Sequence, residues 1–213
     1  MVDCEINNDY FVLISQSTHI TSEDPMTTET NGFKGELYEL IRRLCLRHGH
    51  APGKPTVPVR LTAFTTALEQ RGAFLITMMF LEWFHAMKNE KGWSVEMIGG
   101  DTSDTLGFAT AIMALAERRG HSFSVFGIRP QTLDHGLKTR LIGDDVSGRQ
   151  VILLQDTLGD GEALTNRLEL LRAAGATVVA VFSIIDLEEG GLTAMPTDLP
   201  HGCLFTATEL QRG

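Results

Sequence analysis

Polar residues able to do chemistry are concentrated where a hydrophobic run ends. Val151-Ile152-Leu153-Leu154 leads into Gln155 and Asp156, and then into Thr157-Leu158-Gly159-Asp160-Gly161-Glu162-Ala163. Four apolar residues without a turn former read as a strand buried on both faces, which puts Gln155 and Asp156 at its carboxyl end. Gly159 and Gly161 supply a turn, and Leu164, Leu168 and Leu171 recur at helical spacing up to the stop at Gly175. Strand, glycine-bearing turn and helix together aim bare backbone N–H groups at an anion. Asp160 and Glu162 oppose that use, because a carboxylate ~5 Å from a phosphate costs a few kcal/mol at an effective dielectric near 20. Asp160 can instead cap the helix, with its carboxylate where a phosphate would sit.

Three further segments carry candidate groups. Gly99-Gly100-Asp101-Thr102-Ser103-Asp104 reads as a loop before a helix running to Arg119. Backbone N–H groups and hydroxyls at Asp101, Thr102 and Ser103 suit an anion, with Mg²⁺ between it and the two acids; helix capping is the alternative. The long loop Arg129-Pro130-Gln131-Thr132-Leu133-Asp134-His135-Gly136 brings a guanidinium, an acid and an imidazole, and Lys138 and Arg140 follow it. His135 is either a catalytic group or a turn residue. Ile185-Asp186-Leu187-Glu188-Glu189-Gly190-Gly191 closes the set behind another apolar run.

These segments, in this order and spacing over roughly residues 33 to 191, resemble type I phosphoribosyltransferases and most of all orotate phosphoribosyltransferases. The resemblance implies an α/β fold: a parallel sheet flanked by helices, with a small amino-terminal hood. It also implies transfer of ribosyl 5-phosphate from Mg²⁺-bound phosphoribosyl diphosphate to a pyrimidine-like base. Asp156 would steady the sugar, and the turn from Thr157 to Ala163 would cradle the 5′-phosphate. Asp101, Thr102 and Ser103 would lie beneath pyrophosphate, and Arg129, Asp134 and His135 would belong to a mobile catalytic loop that reaches a neighbouring site in a homodimer.

The chain departs from the family where charge matters. Gln155 stands where the family has the first of two acids, and Asp160 and Glu162 stand where it has hydroxyl donors. Leu133 stands at the position of a catalytic lysine, with Lys138 or Arg140 as displaced substitutes. Leu187 stands at the position of an arginine near the orotate carboxylate, so a carboxylated base loses its matched partner. Two functions therefore remain open: a transferase, for a pyrimidine-like or uncharged base, and a catalytically inactive homologue that senses a nucleotide, binds a partner or serves as structure.

The elements that must position these groups follow from periodicity. Strands are expected at Trp93 to Ile98, Ser122 to Ile128, Gln150 to Gln155 and Thr177 to Ile185, with ligands at their carboxyl ends. Phe33, Leu37, Leu40, Ile41 and Leu44 mark a packing helix, and residues 33 to about 65 plus the carboxyl-terminal residues form the expected hood. Val57 to Phe64 reads as a short strand. Thr66 to Glu69 fits a capping box opening a helix to about Lys88, whose apolar residues from Met78 to Phe84 exceed one buried face and suggest either a subunit contact or core packing. Residues 1 to 32 read as a poorly ordered or accessory extension, with Ser22 to Gly32 a linker and Met26 a second possible start.

Composition bounds the class. The 213 residues fit one α/β domain, and 43% hydrophobic content is that of a globular protein. Residues 1 to 33 hold six of the 27 acids and no Lys or Arg, so the net charge of −9 leaves only −3 for the remainder. That balance excludes an electrostatic case for nucleic acid. Cys4, Cys45 and Cys203 are dispersed, as in a reducing cytoplasm, and no apolar run reaches membrane-spanning length. His48 and His50 lack neighbouring metal ligands and receive no role.

Overall fold

The computed structural model describes residues 25–45, 63–131 and 139–211. Helix α1 spans Pro25–Cys45, so the helix expected from Phe33 already begins inside the expected linker. Proline suits a first helical turn, where its missing N–H has no partner to lose. Helix α2 is the single turn Phe64–Ala67, which makes Phe64 helical; residues 57–62 of the expected strand lie outside the described residues. Helix α3 spans Gln70–Lys91, and its cap is Glu69 rather than Thr66. Glu69 is extended, its carboxylate accepts from the Gly72 N–H at 2.8 Å, and Gly92 closes the helix at φ 67°.

The sheet is built from β1 (Val95–Asp101), β2 (Ser124–Ile128), β3 (Leu141–Gly143), β4 (Gln150–Leu158), β5 (Thr177–Asp186) and β6 (His201–Thr206). The strand order is β3-β2-β1-β4-β5-β6, parallel throughout except for β3, which runs antiparallel to β2. Gly99 and Gly100 are strand residues rather than loop, and a side chain there would meet the Phe126 and Leu154 carbonyl oxygens of the flanking strands. Helix α4 (Leu106–Ala116) follows β1, α5 (Glu162–Ala173) follows β4, and α6 (Ala207–Gln211) follows β6. The edge strands β3 and β6 extend the four-strand set expected from sequence. The carboxyl-terminal strand thus sits in the sheet, while α6 meets α1 through the Tyr38 hydroxyl, which donates to the Glu209 carbonyl at 3.2 Å.

Each face of the sheet carries its own apolar layer. One collects Leu37 and Ile41 of α1, Phe108 and Ile112 of α4, and the core of α3; the other collects Leu164, Leu168 and Leu171 of α5. Helix α3 is hydrophobic nearly all round because it is enclosed by α1, α4 and the sheet: Met79, Phe80, Leu81, Trp83 and Phe84 are all buried. Phe80 stacks on Phe84 at 6.0 Å and meets Phe182 edge-on at 5.0 Å. The excess apolar content is therefore consumed inside the chain, and it gives no argument for a subunit contact.

A polar cluster lies between β5 and β6. The Ser183 hydroxyl is 2.7 Å from His201 Nε2, and burial lowers the His201 pKa to about 4. A histidine buried neutral protonates first in the unfolded chain, so its stabilising share is complete above about pH 6.5 and is lost as pH falls towards 4. The expected effect is on the order of 3 kcal/mol across that window. His201→Gln should flatten this part of the stability curve in urea unfolding; an unchanged slope between pH 6.5 and 4 would show that His201 does not titrate in this way.

Candidate functional site

The carboxyl ends of β1, β4 and β5 open into a cleft of about 780 Å³. Its lining includes Asp101, Gln155, Asp156, Thr157, Gly159, Asp160, Gly161, Ala163 and Leu187, which sequence singled out in three separate segments. Strand β4 runs on to Leu158, so Gln155 and Asp156 lie within it and the turn expected from Thr157 begins two residues later. Both are buried, at 3% and 6% exposure. Leu187 joins the lining because its N–H donates to the Leu158 carbonyl at 2.8 Å, which draws the ends of β4 and β5 together.

The turn after β4 fills its own anion position. Gly161 has φ 91°, and a side chain there would strike Ala194, so both backbone geometry and space require glycine. Helix α5 starts at Glu162, and the Asp160 carboxylate accepts from the Glu162 N–H at 3.1 Å. An internal carboxylate thus occupies a donor at the positive end of the helix. Glu162 is exposed and is not part of the cleft wall. Glu189 approaches the turn from β5, with its carboxylate 3.1 Å from where a Gly159 side chain would begin.

Arg167, from the second turn of α5, was not among the groups expected from sequence, and it organises the cleft floor. Its guanidinium donates to Gln155 Oε1 at 3.0 Å and to Asp101 Oδ2 at 3.3 Å. The other Asp101 oxygen accepts from the Ser103 N–H at 2.9 Å and from the Ser103 hydroxyl at 2.5 Å. Burial raises the Asp101 pKa, but the Ser103 and Arg167 contacts outweigh it and hold the carboxyl below its ordinary range. A signal was available: Arg167 lies three residues after Leu164 and four before Leu171, on the core-facing stripe of α5.

Not every expected group reaches the cleft. Ser103 is turned onto Asp101, and the Thr102 N–H donates to the Ile128 carbonyl at 3.0 Å. Neither lines the cavity. Arg129 and Arg140 face one another at the base of the loop between β2 and β3: the Arg129 N–H donates to the Arg140 carbonyl at 2.7 Å, and Arg140 Nε returns a bond to the Arg129 carbonyl at 3.0 Å. Residues 132–138, with Leu133, Asp134, His135, Gly136 and Lys138, lie outside the described residues.

The lining is strongly acidic. Asp101, Asp104, Asp156, Asp160 and Glu189 face it, and Arg167 is its cation among the described residues. No three His, Cys, Asp or Glu side chains among the described residues converge to hold a metal ion. Among the described residues no helix is long and apolar enough to cross a membrane.

Replacing Arg167 by Met should leave the buried Gln155 oxygen and Asp101 short of donors, at a cost of about 1–3 kcal/mol. The Asp101 pKa should rise, and with it the pH at which its stabilising share is lost on acidification. Urea unfolding and carboxyl-carbon NMR titration read both effects; an unmoved Asp101 titration would mean that Ser103 alone holds it down.

No family model matches the chain. Curated relatives do: it is 28% identical over 184 residues to orotate phosphoribosyltransferase of Bradyrhizobium sp. BTAi1, covering 83% of this chain and 96% of that one. It is also 28% identical to the enzyme of the same name from Corynebacterium glutamicum strain R, over 83% and 93%. Among solved structures, a phosphoribosyltransferase from Corynebacterium diphtheriae superposes with a TM-score of 0.67 at 24% identity, over 84% of this chain and 98% of that one. Orotate phosphoribosyltransferase of Mycobacterium tuberculosis gives 0.61 at 24%, over 84% and 99%. The chain has the fold of the type I phosphoribosyltransferases, and in sequence it is similar to the orotate phosphoribosyltransferases.

Proposed function

We propose that the cleft takes a ribosyl 5-phosphate and that the chain is an orotate phosphoribosyltransferase-like transferase with weak hold on its diphosphate donor. The observation that carries this reading is convergence: the polar end of β4, the end of β1 and the segment after β5 share one cleft. In the reaction, the bond from C1 of the ribosyl ring to oxygen breaks and its electron pair leaves on pyrophosphate. A ring nitrogen of the base then bonds to C1 and gives up its proton to the departing pyrophosphate or to water. Asp156, buried at the strand end, opposes the positive charge that develops on the ring. Asp104, an exposed carboxylate of the cleft, would help hold a Mg²⁺ brought in with the diphosphate, which would supply positive charge to the leaving group. Leu187 favours a base without a carboxylate, since it offers no cation to orotate.

A second reading has its own observation. Asp160 bonded to the Glu162 N–H, within an acidic lining, suits a protein that keeps the fold to bind a ribonucleotide and no longer turns over. Pyrophosphate release from phosphoribosyl diphosphate and Mg²⁺, with orotate, uracil and other bases in turn, separates the two. Release with any base supports the transferase, whereas none, alongside measurable nucleotide binding, supports the binding module. In both cases Asp160→Thr should tighten phosphoribosyl diphosphate by about tenfold or more in calorimetry, as expected when a like charge some 5 Å away is removed. Tight binding by the unaltered protein, with no gain in the variant, would mean that Asp160 turns away when ligand enters.

A further inference from the structure

A second cavity, of about 630 Å³, lies at the opposite end of the sheet from the cleft, beside the first residues of β5. It exists because β6 joins β5 only from Val181 and His201 onward, so Thr177 to Ala180 have no strand beside them on that side. A tied loop closes the gap instead: the Leu199 N–H donates to the Pro196 carbonyl and the Val181 N–H to the Pro200 carbonyl, both at 3.0 Å. Leu168 of α5, Val179 of β5 and the half-buried Trp93 give the cavity apolar walls, and Arg172 and Asp198 bring one charge of each sign. Mostly apolar walls with a few polar groups, in a volume between ~300 and ~1,000 Å³, are what small-molecule sites have in common.

Those two charges are not used within the chain. Among the described residues neither the Arg172 nor the Asp198 side chain has an ion-pair or hydrogen-bond partner, and the two do not pair with each other. Arg172 sits in the last turn of α5, where a cation commonly answers the helix-end carbonyls. Here those carbonyls are already taken: the Ala174, Gly175 and Ala176 N–H groups donate to the Leu170, Arg172 and Leu171 carbonyls, each at 3.0 Å. Lys91, which also lines the cavity, is by contrast ion-paired with Glu90 at 2.7 Å. Opposite charges set apart around one cavity match a ligand that carries both. We propose that this cavity is a second ligand site, for a small zwitterion of the amino-acid type: Arg172 takes its carboxylate, Asp198 its ammonium, and Trp93 its apolar body. A guanidinium fits a carboxylate through two parallel bonds, and an indole packs well against a flat apolar group. A plain anion would meet repulsion from Asp198, and a plain cation repulsion from Arg172. The cavity shares no lining residue with the cleft, so this site stands or falls independently of the transferase reading.

The test is calorimetric titration of the full chain with L-phenylalanine, with phenethylamine, which lacks the carboxylate, and with 3-phenylpropionate, which lacks the ammonium. L-phenylalanine should bind with a Kd of about 1 mM or below, and each singly charged analogue should bind about tenfold more weakly or worse. Arg172→Gln should weaken L-phenylalanine about tenfold and leave phenethylamine no weaker, while Asp198→Asn should do the same with 3-phenylpropionate as the unaffected ligand. Both side chains are exposed, so neither substitution threatens the fold. Binding of 3-phenylpropionate as tight as that of L-phenylalanine would overturn the zwitterion assignment, because Asp198 would then have no part in recognition. Equal binding of all three ligands, unmoved by either substitution, would overturn it as well and leave only apolar contact with Trp93. No binding of L-phenylalanine at about 10 mM would overturn the site itself.

Discussion

Arg167 ties together the three elements on which the cleft depends. Rooted in α5, it reaches Gln155 at the end of β4 and Asp101 at the end of β1, so one guanidinium spans two parallel strands and the helix that follows the second. A half-buried cation of this kind is tolerable only when its donors are matched, and the bidentate fork supplies a direction as well as charge. The consequences spread outward. Asp101 is held ionised, Ser103 is drawn onto it and away from the cavity, and the Gln155 amide is fixed with its oxygen on the guanidinium.

The turn after β4 responds to the same shortage of positive charge. Where backbone N–H groups at a helix start would normally await an anion, Asp160 supplies one from within the chain. The cleft is therefore internally satisfied at two places, by Arg167 on Gln155 and Asp101 and by Asp160 on the helix end. A ligand must displace or accommodate these contacts. Those two arrangements give physical content to the departures seen at Gln155 and Asp160: an amide held by a cation at the strand end, and a helix start already bonded to a side chain.

The central strands and the cleft were legible in the sequence because β1, β4 and β5 are apolar runs ending in polar residues, a pattern that a parallel sheet forces on strands buried on both faces. The edges were not. Strand β3 has three residues, and His201-Gly202-Cys203-Leu204-Phe205-Thr206 mixes polar and apolar residues because β6 is paired on one side only. Helix α3 suggested a subunit face because its hydrophobic content was weighed against one buried side, whereas α1, α4 and the sheet enclose it. Arg167 was passed over for a related reason. Its position on the stripe of Leu164, Leu168 and Leu171 was visible, but the amide and the acid that make it useful come from strands 12 and 66 residues away.

The most direct test of the whole account is a crystal structure of the chain with uridine 5′-monophosphate, and specifically where the 5′-phosphate lies. The account predicts Asp160 still on the Glu162 N–H and the phosphate displaced from the turn. A phosphate seated on the Gly161 and Glu162 N–H groups, with Asp160 swung out, would contradict it.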